Sequence, residues 1–237
     1  MLKESLAPGR LPSGWRVYAV GDVHGCAGQL AALHELIAAD ARARPVARVS
    51  LVHLGDYVDR GPDSAGVLDR LLGPPPLPGA EVVNLVGNHE TMFLDACDPR
   101  APDGALPFWL DNGGAETLAS YGTDPEEEGW WEAVPHEHLD FMHACKLSWT
   151  AGDYLFVHAG IRPEVPLSQQ DPFDLLWIRE PFLSFTGDLP WVVVHGHTPS
   201  QAPSIRSHRI GIDTGACFGG ALTCLVLEEN RLGFLSA

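Results

Sequence analysis

Six residues of this 237-residue chain are oxygen or nitrogen donors placed just after apolar runs: Asp22, His24, Asp56, Asn88, His158 and His197. They sit in five words: Gly21-Asp22-Val23-His24-Gly25, Gly55-Asp56-Tyr57-Val58-Asp59-Arg60-Gly61, Gly87-Asn88-His89-Glu90, His158-Ala159-Gly160 and His195-Gly196-His197-Thr198-Pro199. None offers sulfur. Such a set suits borderline divalent ions such as Mn, Fe, Zn, Ni or Co rather than Cu(I) or an iron–sulfur cluster. Six ligands are too many for one tetrahedral ion. Two ions about 3.5–4 Å apart fit better, with one carboxylate bridging them. Ions that close repel, so a shared carboxylate and a hydroxide between them are needed, and the ions lower the pKa of that water towards neutrality. The pattern therefore predicts a dinuclear site that makes a nucleophile from water.

Bringing five distant words together requires a fold whose strand ends converge. The runs 16–20, 49–54, 82–86, 154–157, 191–194, 209–212 and 222–227 read as strands. Leu30, Leu33 and Ile37 have helical spacing and predict a helix over 27–42. A shorter helix over 64–72 is stopped by Gly73-Pro74-Pro75-Pro76. The order strand, helix, strand, helix, strand implies an α/β architecture. Open α/β sheets place ligands outside the carboxyl ends of their strands, where the five words lie. Residues 1–14 are rich in Pro and Gly and are expected to be a loose leader. The stretch 98–150 holds Trp109, Trp130, Trp131 and the acidic run Glu126-Glu127-Glu128, with no clear strand. It is expected to be a helical insertion over the sheet, within one domain spanning 1–237.

The chain carries 31 acidic and 15 basic residues, a net charge of −16. That balance argues against a nucleic-acid binder and against docking on an anionic membrane. No apolar run approaches the ~18 residues of a membrane span, and the first residues lack the apolar core of a signal peptide. The five cysteines at 26, 97, 145, 217 and 224 include no C-x-x-C pair. Reduced thiols and a cytoplasmic location are expected.

Taken together, the words GDVHG, GDYVDRG, GNHE, FVHAGI, LLWIRE and HGHTP resemble the calcineurin-like metallophosphoesterases. Within them they are similar to the phosphoprotein phosphatase group, especially its bacterial and phage Ser/Thr branch. The likeness runs from 16 to 227. It implies a central β-sandwich flanked by helices, in αββα layers, with a dinuclear site at one edge. It implies that Asp22 and His24 bind the first ion, that Asp56 bridges, and that Asn88, His158 and His197 bind the second. Arg60 and Arg179 would clamp the phosphate, and His89, oriented by Asp59, would be the general acid. The chemistry agrees with those roles. Guanidinium forks match phosphate oxygens, and a carboxylate such as Asp59 is expected to raise an imidazole pKa and fix its ring.

The resemblance implies two divalent cations, manganese first, and a phosphoprotein or a phosphorylated small molecule as substrate. The rival activities are a symmetrical diadenosine-tetraphosphate hydrolase and a small-molecule phosphatase. The rival outside catalysis is a metal-binding scaffold. Where many members carry Arg before GNHE, this chain has Val86. A phosphate contact is then missing or comes from elsewhere. His195 is expected to be structural or to support a ligand, and Asp213 to orient a ligand histidine or cap a turn. The word Asn112-Gly113-Gly114-x-x-Thr117 either brings backbone close to substrate or makes a capping turn.

Overall fold

The computed structural model describes residues 3–237. In chain order its main elements are β1 (Ser5–Leu6), β2 (Trp15–Val20), α1 (Ala27–Ala43), β3 (Arg48–His53), α2 (Ser64–Leu72), β4 (Glu81–Asn84) and α3 (Asn88–Cys97). Then come α4 (Ala105–Trp109), α5 (Ala115–Tyr121), α6 (His136–Ala144), β5 (Ser148–Ala151), β6 (Tyr154–Val157) and α7 (Pro172–Trp177). The chain closes with β7 (Val192–His195), β8 (Ser204–Ile205), β9 (Arg209–Gly211), β10 (Thr223–Glu228) and β11 (Arg231–Ser236).

Two sheets result. One is ordered β1-β11-β10-β2-β3-β4 and the other β5-β6-β7-β9-β8. Side chains alternate across each strand, and both faces are covered. Val17 and Ala19 of β2 point between the sheets, where they meet Phe156, Val194 and Ile210. Tyr18 and Val20 point the other way, onto Leu30, Leu33 and Ile37 of α1. The outer face of the second sheet, Leu155, Val157 and Val193, is covered by Leu175, Ile178 and Phe182. Burial on both faces explains why these strands read as unbroken apolar runs rather than alternating ones. The αββα layering implied by the family likeness is present.

The parallel strands do the positioning. β2, β3 and β4 run parallel, as do β6, β7 and β9. Their carboxyl ends open on the same edge of the sandwich and deliver the five polar words there.

Several local features differ from the sequence reading. Residues expected to form a loose leader are tied down. Ser5 and Leu6 pair with Leu232 and Arg231, and Leu11 is 1% exposed in the inter-sheet core. Two-residue strands are too short to register as periodicity, so Pro and Gly dominated the reading. The strand β5 (Ser148–Ala151) overlaps the end of the stretch 98–150, expected to lack strands, and α7 and β11 went unread. An available signal for α7 is Asp171, whose side chain accepts the Phe173 N–H at 2.9 Å, followed by Pro172 in the first turn. The helices of the insertion share the main core: Trp109, Leu118, Trp130 and Met142 pack in one cluster with Tyr18 and Leu30. Among the described residues no helix is long and apolar enough to cross a membrane, and all five cysteines are free.

Candidate active site

The loops at the strand ends turn sharply. Among the described residues seven non-glycine residues have positive φ, and five of them are His24 (44°), Asp56 (53°), Asp59 (71°), Arg60 (66°) and His197 (63°). Such conformations cost of order 1 kcal/mol each and persist only where the surroundings over-determine them. Glu90 supplies much of that constraint. Its Oε2 accepts the N–H groups of Asp56 and Gly87, both at 2.8 Å, and its Oε1 accepts those of Tyr57 at 2.7 Å and Val58 at 3.3 Å. One fully buried carboxylate thus joins the loop after β3 to the start of α3. Burial, and next the nearby Asp56, push the Glu90 carboxyl up to about 7. Gly87 is equally constrained: a Cβ there would run into Asp56 Oδ1.

The histidine rings are aimed by their far nitrogens. His24 Nδ1 lies 2.9 Å from the Val58 carbonyl and His158 Nδ1 lies 2.9 Å from the Leu54 carbonyl. A carbonyl only accepts, so both rings carry a proton on Nδ1 and both Nε2 atoms face inward. Asp56 lies between them. Its Oδ2 is 3.4 Å from His24 Nε2 and its Oδ1 is 3.4 Å from His158 Nε2. Asn88 Oδ1 is 2.9 Å from His158 Nε2 and 3.0 Å from His197 Nδ1. The Asp22 carboxylate is fixed by the His197 N–H, which donates to Oδ2 at 2.8 Å. Its buried Oδ1 has no hydrogen-bond partner among the described residues.

These are acceptors facing acceptors, and they call for positive charge between them. Ligand atoms of Asp56, His158 and His197 lie within 4.8 Å of one another, as do those of His24, Asp56 and His89. Asp56 is common to both groups. The donor set, all oxygen and nitrogen, with ligand atoms already oriented, fits a pair of divalent cations sharing one carboxylate.

The electrostatics agree. Burial disfavours charge on His158, but Asp56 overrides it and pushes the imidazole up to about 10, so at neutral pH a proton holds Nε2 and a cation binding there must displace it. Burial also disfavours the Asp56 carboxylate, yet His158 and His89 outweigh it and hold that carboxyl well below the ordinary range. Burial lowers His24 to about 4 and His197 to about 3, which keeps their lone pairs free. Burial, then Asp213, raises Asp22.

Beside this cluster His89 Nδ1 meets Asp59 Oδ2 at 2.7 Å. The sequence reading expected Asp59 to raise the imidazole pKa. Burial dominates instead, pushing His89 down to about 4 and the Asp59 carboxyl up to about 7. Trp109 and Thr117 complete the surroundings of Asp59: indole Nε1–H donates to Oδ1 at 2.9 Å and the Thr117 hydroxyl donates to Oδ1 at 2.7 Å. Arg60 NH1 donates to His24 Nε2 at 2.9 Å, and its guanidinium carbon lies 5.7 Å from the exposed Phe218 ring. Arg179 is exposed, makes no side-chain hydrogen bond among the described residues, and is close enough for its charge to help lower His197.

The ten residues singled out from sequence therefore gather at one edge, nine of them buried or partly buried and Arg179 at the rim. His195 lies outside both ligand groups, with Nδ1 at 3.1 Å from the Gly196 carbonyl and its ring edge-on to Phe182. Asp213 accepts the Gly215 N–H at 3.0 Å, which is a turn-capping contact. Val86 is buried and apolar, and its N–H donates to the Lys146 carbonyl. The sequence reading did not anticipate Glu90, Trp109 or Thr117. The signal for Glu90 was its place three residues after Gly87, where a helix-start glutamate reaches back to the preceding backbone.

Comparison with known proteins follows the same lines. The family model described as calcineurin-like phosphoesterase matches residues 16–232. The chain is 32% identical over 229 residues to serine/threonine-protein phosphatase 1 of Salmonella typhimurium, covering 88% of this chain and 91% of that protein. It is 27% identical over 230 residues to the asymmetrical bis(5'-nucleosyl)-tetraphosphatase PrpE of Halalkalibacterium halodurans, covering 89% of each. Its fold is similar to the crystal structure of a cold-active protein-tyrosine phosphatase of a psychrophilic Shewanella species, with TM-score 0.58 and 18% identity, over 96% of this chain and 83% of that one.

Proposed function

We infer that this chain, which belongs to the calcineurin-like phosphoesterase family, is a metal-dependent phosphomonoesterase acting on phosphoserine and phosphothreonine in proteins. The observation that carries the reading is the Asp56 carboxylate, with one oxygen 3.4 Å from His24 Nε2 and the other 3.4 Å from His158 Nε2. A carboxylate shared in this way suits a pair of ions, and it stands next to a histidine–carboxylate pair and an arginine. We assign Asp22, His24 and Asp56 to one ion and Asp56, Asn88, His158 and His197 to the other. When bound, two divalent cations, manganese in this reading, activate water and neutralise phosphoryl oxygens.

The chain's own residues supply the rest. Arg60 reaches the edge of the ligand cluster and forks the phosphoryl oxygens, with Arg179 closing from the rim. His89 gives the leaving alkoxide its proton. With two protons on the His89–Asp59 pair, Nε2 carries a hydrogen whether the second proton rests on Asp59 or on Nδ1. With one proton, Nδ1–H is held by Asp59 and Nε2 is bare. The doubly protonated pair is therefore the acid, and the pair titrates as a unit.

The protein-substrate reading is supported by the intact Asp59-Arg60 word and by the relative named as a Ser/Thr phosphatase. A second reading, hydrolysis of a dinucleoside tetraphosphate, is supported by the relative named for that activity. The test is kcat/KM with Mn²⁺ on phosphoserine and phosphothreonine peptides, phosphotyrosine and diadenosine tetraphosphate. Preference for the phosphoserine and phosphothreonine peptides is expected. Preference for the dinucleotide would overturn the protein-substrate reading and leave the metal assignment standing.

A further inference from the structure

Three residues of the segment 109–117 bond to the two groups on which proton delivery and phosphate binding depend. Trp109 Nε1–H lies 2.9 and 3.0 Å from the two Asp59 oxygens. Thr117 Oγ1 donates to Asp59 Oδ1 at 2.7 Å and accepts the Asp59 N–H at 2.8 Å. With His89 Nδ1 at 2.7 Å on Oδ2, the carboxylate cannot turn about its Cβ–Cγ bond without breaking these contacts together. Between Trp109 and Thr117 the chain kinks at Gly113, whose φ is 100°. The Gly113 carbonyl accepts the Arg60 N–H at 3.0 Å. A Cβ on Gly113 would lie 2.7 Å from Arg60 Cγ and 3.0 Å from Arg60 N, so a side chain there displaces the arginine. The segment is itself held firmly. The Trp109 ring, 0% exposed, stacks on Phe93 at 4.7 Å and on Trp130 at 5.7 Å. Phe93 belongs to α3, the helix that begins with Asn88 and His89.

We propose that Trp109, Thr117 and Gly113 are positioning residues for the reaction, Trp109 and Thr117 fixing the carboxylate that orients His89, and Gly113 setting Arg60. The proposal rests on the phosphomonoesterase reading. It assigns two separable tasks to one turn. Loss of a donor to Asp59 loosens His89 and impairs protonation of a poor leaving group. An ester whose leaving group departs unprotonated is spared. Loss of the close approach at Gly113 moves the guanidinium and weakens phosphate binding on every ester.

The experiment uses the full chain loaded with Mn²⁺ and two esters, a phosphoserine peptide and p-nitrophenyl phosphate. Trp109→Phe keeps the aromatic stack and removes the indole N–H. Thr117→Val keeps the shape and removes the hydroxyl, and Thr117→Ser returns it. Trp109→Phe and Thr117→Val are each expected to lower kcat on the peptide about tenfold or more and on p-nitrophenyl phosphate less than about twofold, with Thr117→Ser close to wild type. Gly113→Ala is expected to raise KM for both esters, and Ki for inorganic phosphate, by about tenfold, with a smaller change in kcat. Manganese content and Tm are read on each variant. Equal losses on both esters in Trp109→Phe and Thr117→Val, at unchanged metal content, would overturn the proposal, as would an unmoved phosphate Ki in Gly113→Ala. Should Trp109→Phe fail to fold, the Thr117→Val and Thr117→Ser pair decides. A wild-type chain inactive on both esters would remove the phosphomonoesterase reading itself.

Discussion

At His89, burial and hydrogen bonding oppose each other. The imidazole is held 2.7 Å from Asp59 but is lowered to about 4 because it is cut off from water. Its usefulness as an acid then depends on the pair rather than on either group. Removing the ring should therefore damage proton transfer without touching the ligands of the second ion. His89→Asn is expected to lower kcat on alkyl phosphate esters by about a hundredfold or more while metal content stays at the wild-type level. Loss of both ions in that variant, measured by elemental analysis, would contradict the acid assignment. The residues with chemistry were legible in the sequence because each follows an apolar run and sits in a short polar word. Burial was not, and the sign expected for the His89 shift was wrong for that reason. Trp109 and Thr117 act by hydrogen bonds to Asp59, 50 and 58 positions away, and no local spacing announces them. The spacing of Glu90 from Gly87 marks a helix start but not its bonds to the backbone of residues 56 to 58, which lie 32 to 34 positions away.

Among the elements, α1 and β3 are joined by a buried histidine relay. His53 Nδ1 is 2.8 Å from Asn84 Oδ1, and His53 Nε2 is 3.0 Å from His34 Nε2. The amide oxygen accepts, so His53 carries its proton on Nδ1 and His34 donates from Nε2. Burial lowers His34 to about 3 and His53 to about 4. In the unfolded chain both titrate near ~6.5. Below that value the unfolded state binds protons that the folded state refuses. Stability from these groups is thus complete above about 6.5 and falls as the pH drops towards about 4. His34→Gln keeps an N–H for His53 but cannot titrate. Its Tm is expected to fall less steeply than wild type between pH 6.5 and 4, in chelator, and identical slopes would contradict the relay. Long elements such as α1 and β2 were legible because apolar spacing persists over several turns or residues. The short strands β1 and β8 and the six-residue helix α7 were not, since they offer too few positions for a period to show.

For the whole molecule, the net charge of −16 still speaks against binding polyanions over a broad surface. It does not describe the edge of the sandwich, where the folded chain turns ring nitrogens of His24, His158 and His197 and the oxygens of Asp22, Asp56 and Asn88 towards common points. The four-layer architecture was legible through the family likeness of the six words, and the alternation of helices and strands alone implied only an α/β class. The closing of two sheets face to face depends on contacts such as Val17 and Ala19 against Phe156 and Val194, which no single segment encodes. The account stands or falls on two cations sharing Asp56. The direct measurement is to strip the protein with chelator, titrate Mn²⁺, and follow bound manganese per chain together with hydrolysis of p-nitrophenyl phosphate, in the wild type and in Asp56→Asn. Activity absent without metal, returning as two ions bind each chain, and lost with both ions in Asp56→Asn is the result predicted. Activity that persists in metal-free buffer, or that is complete with a single ion per chain, would contradict it.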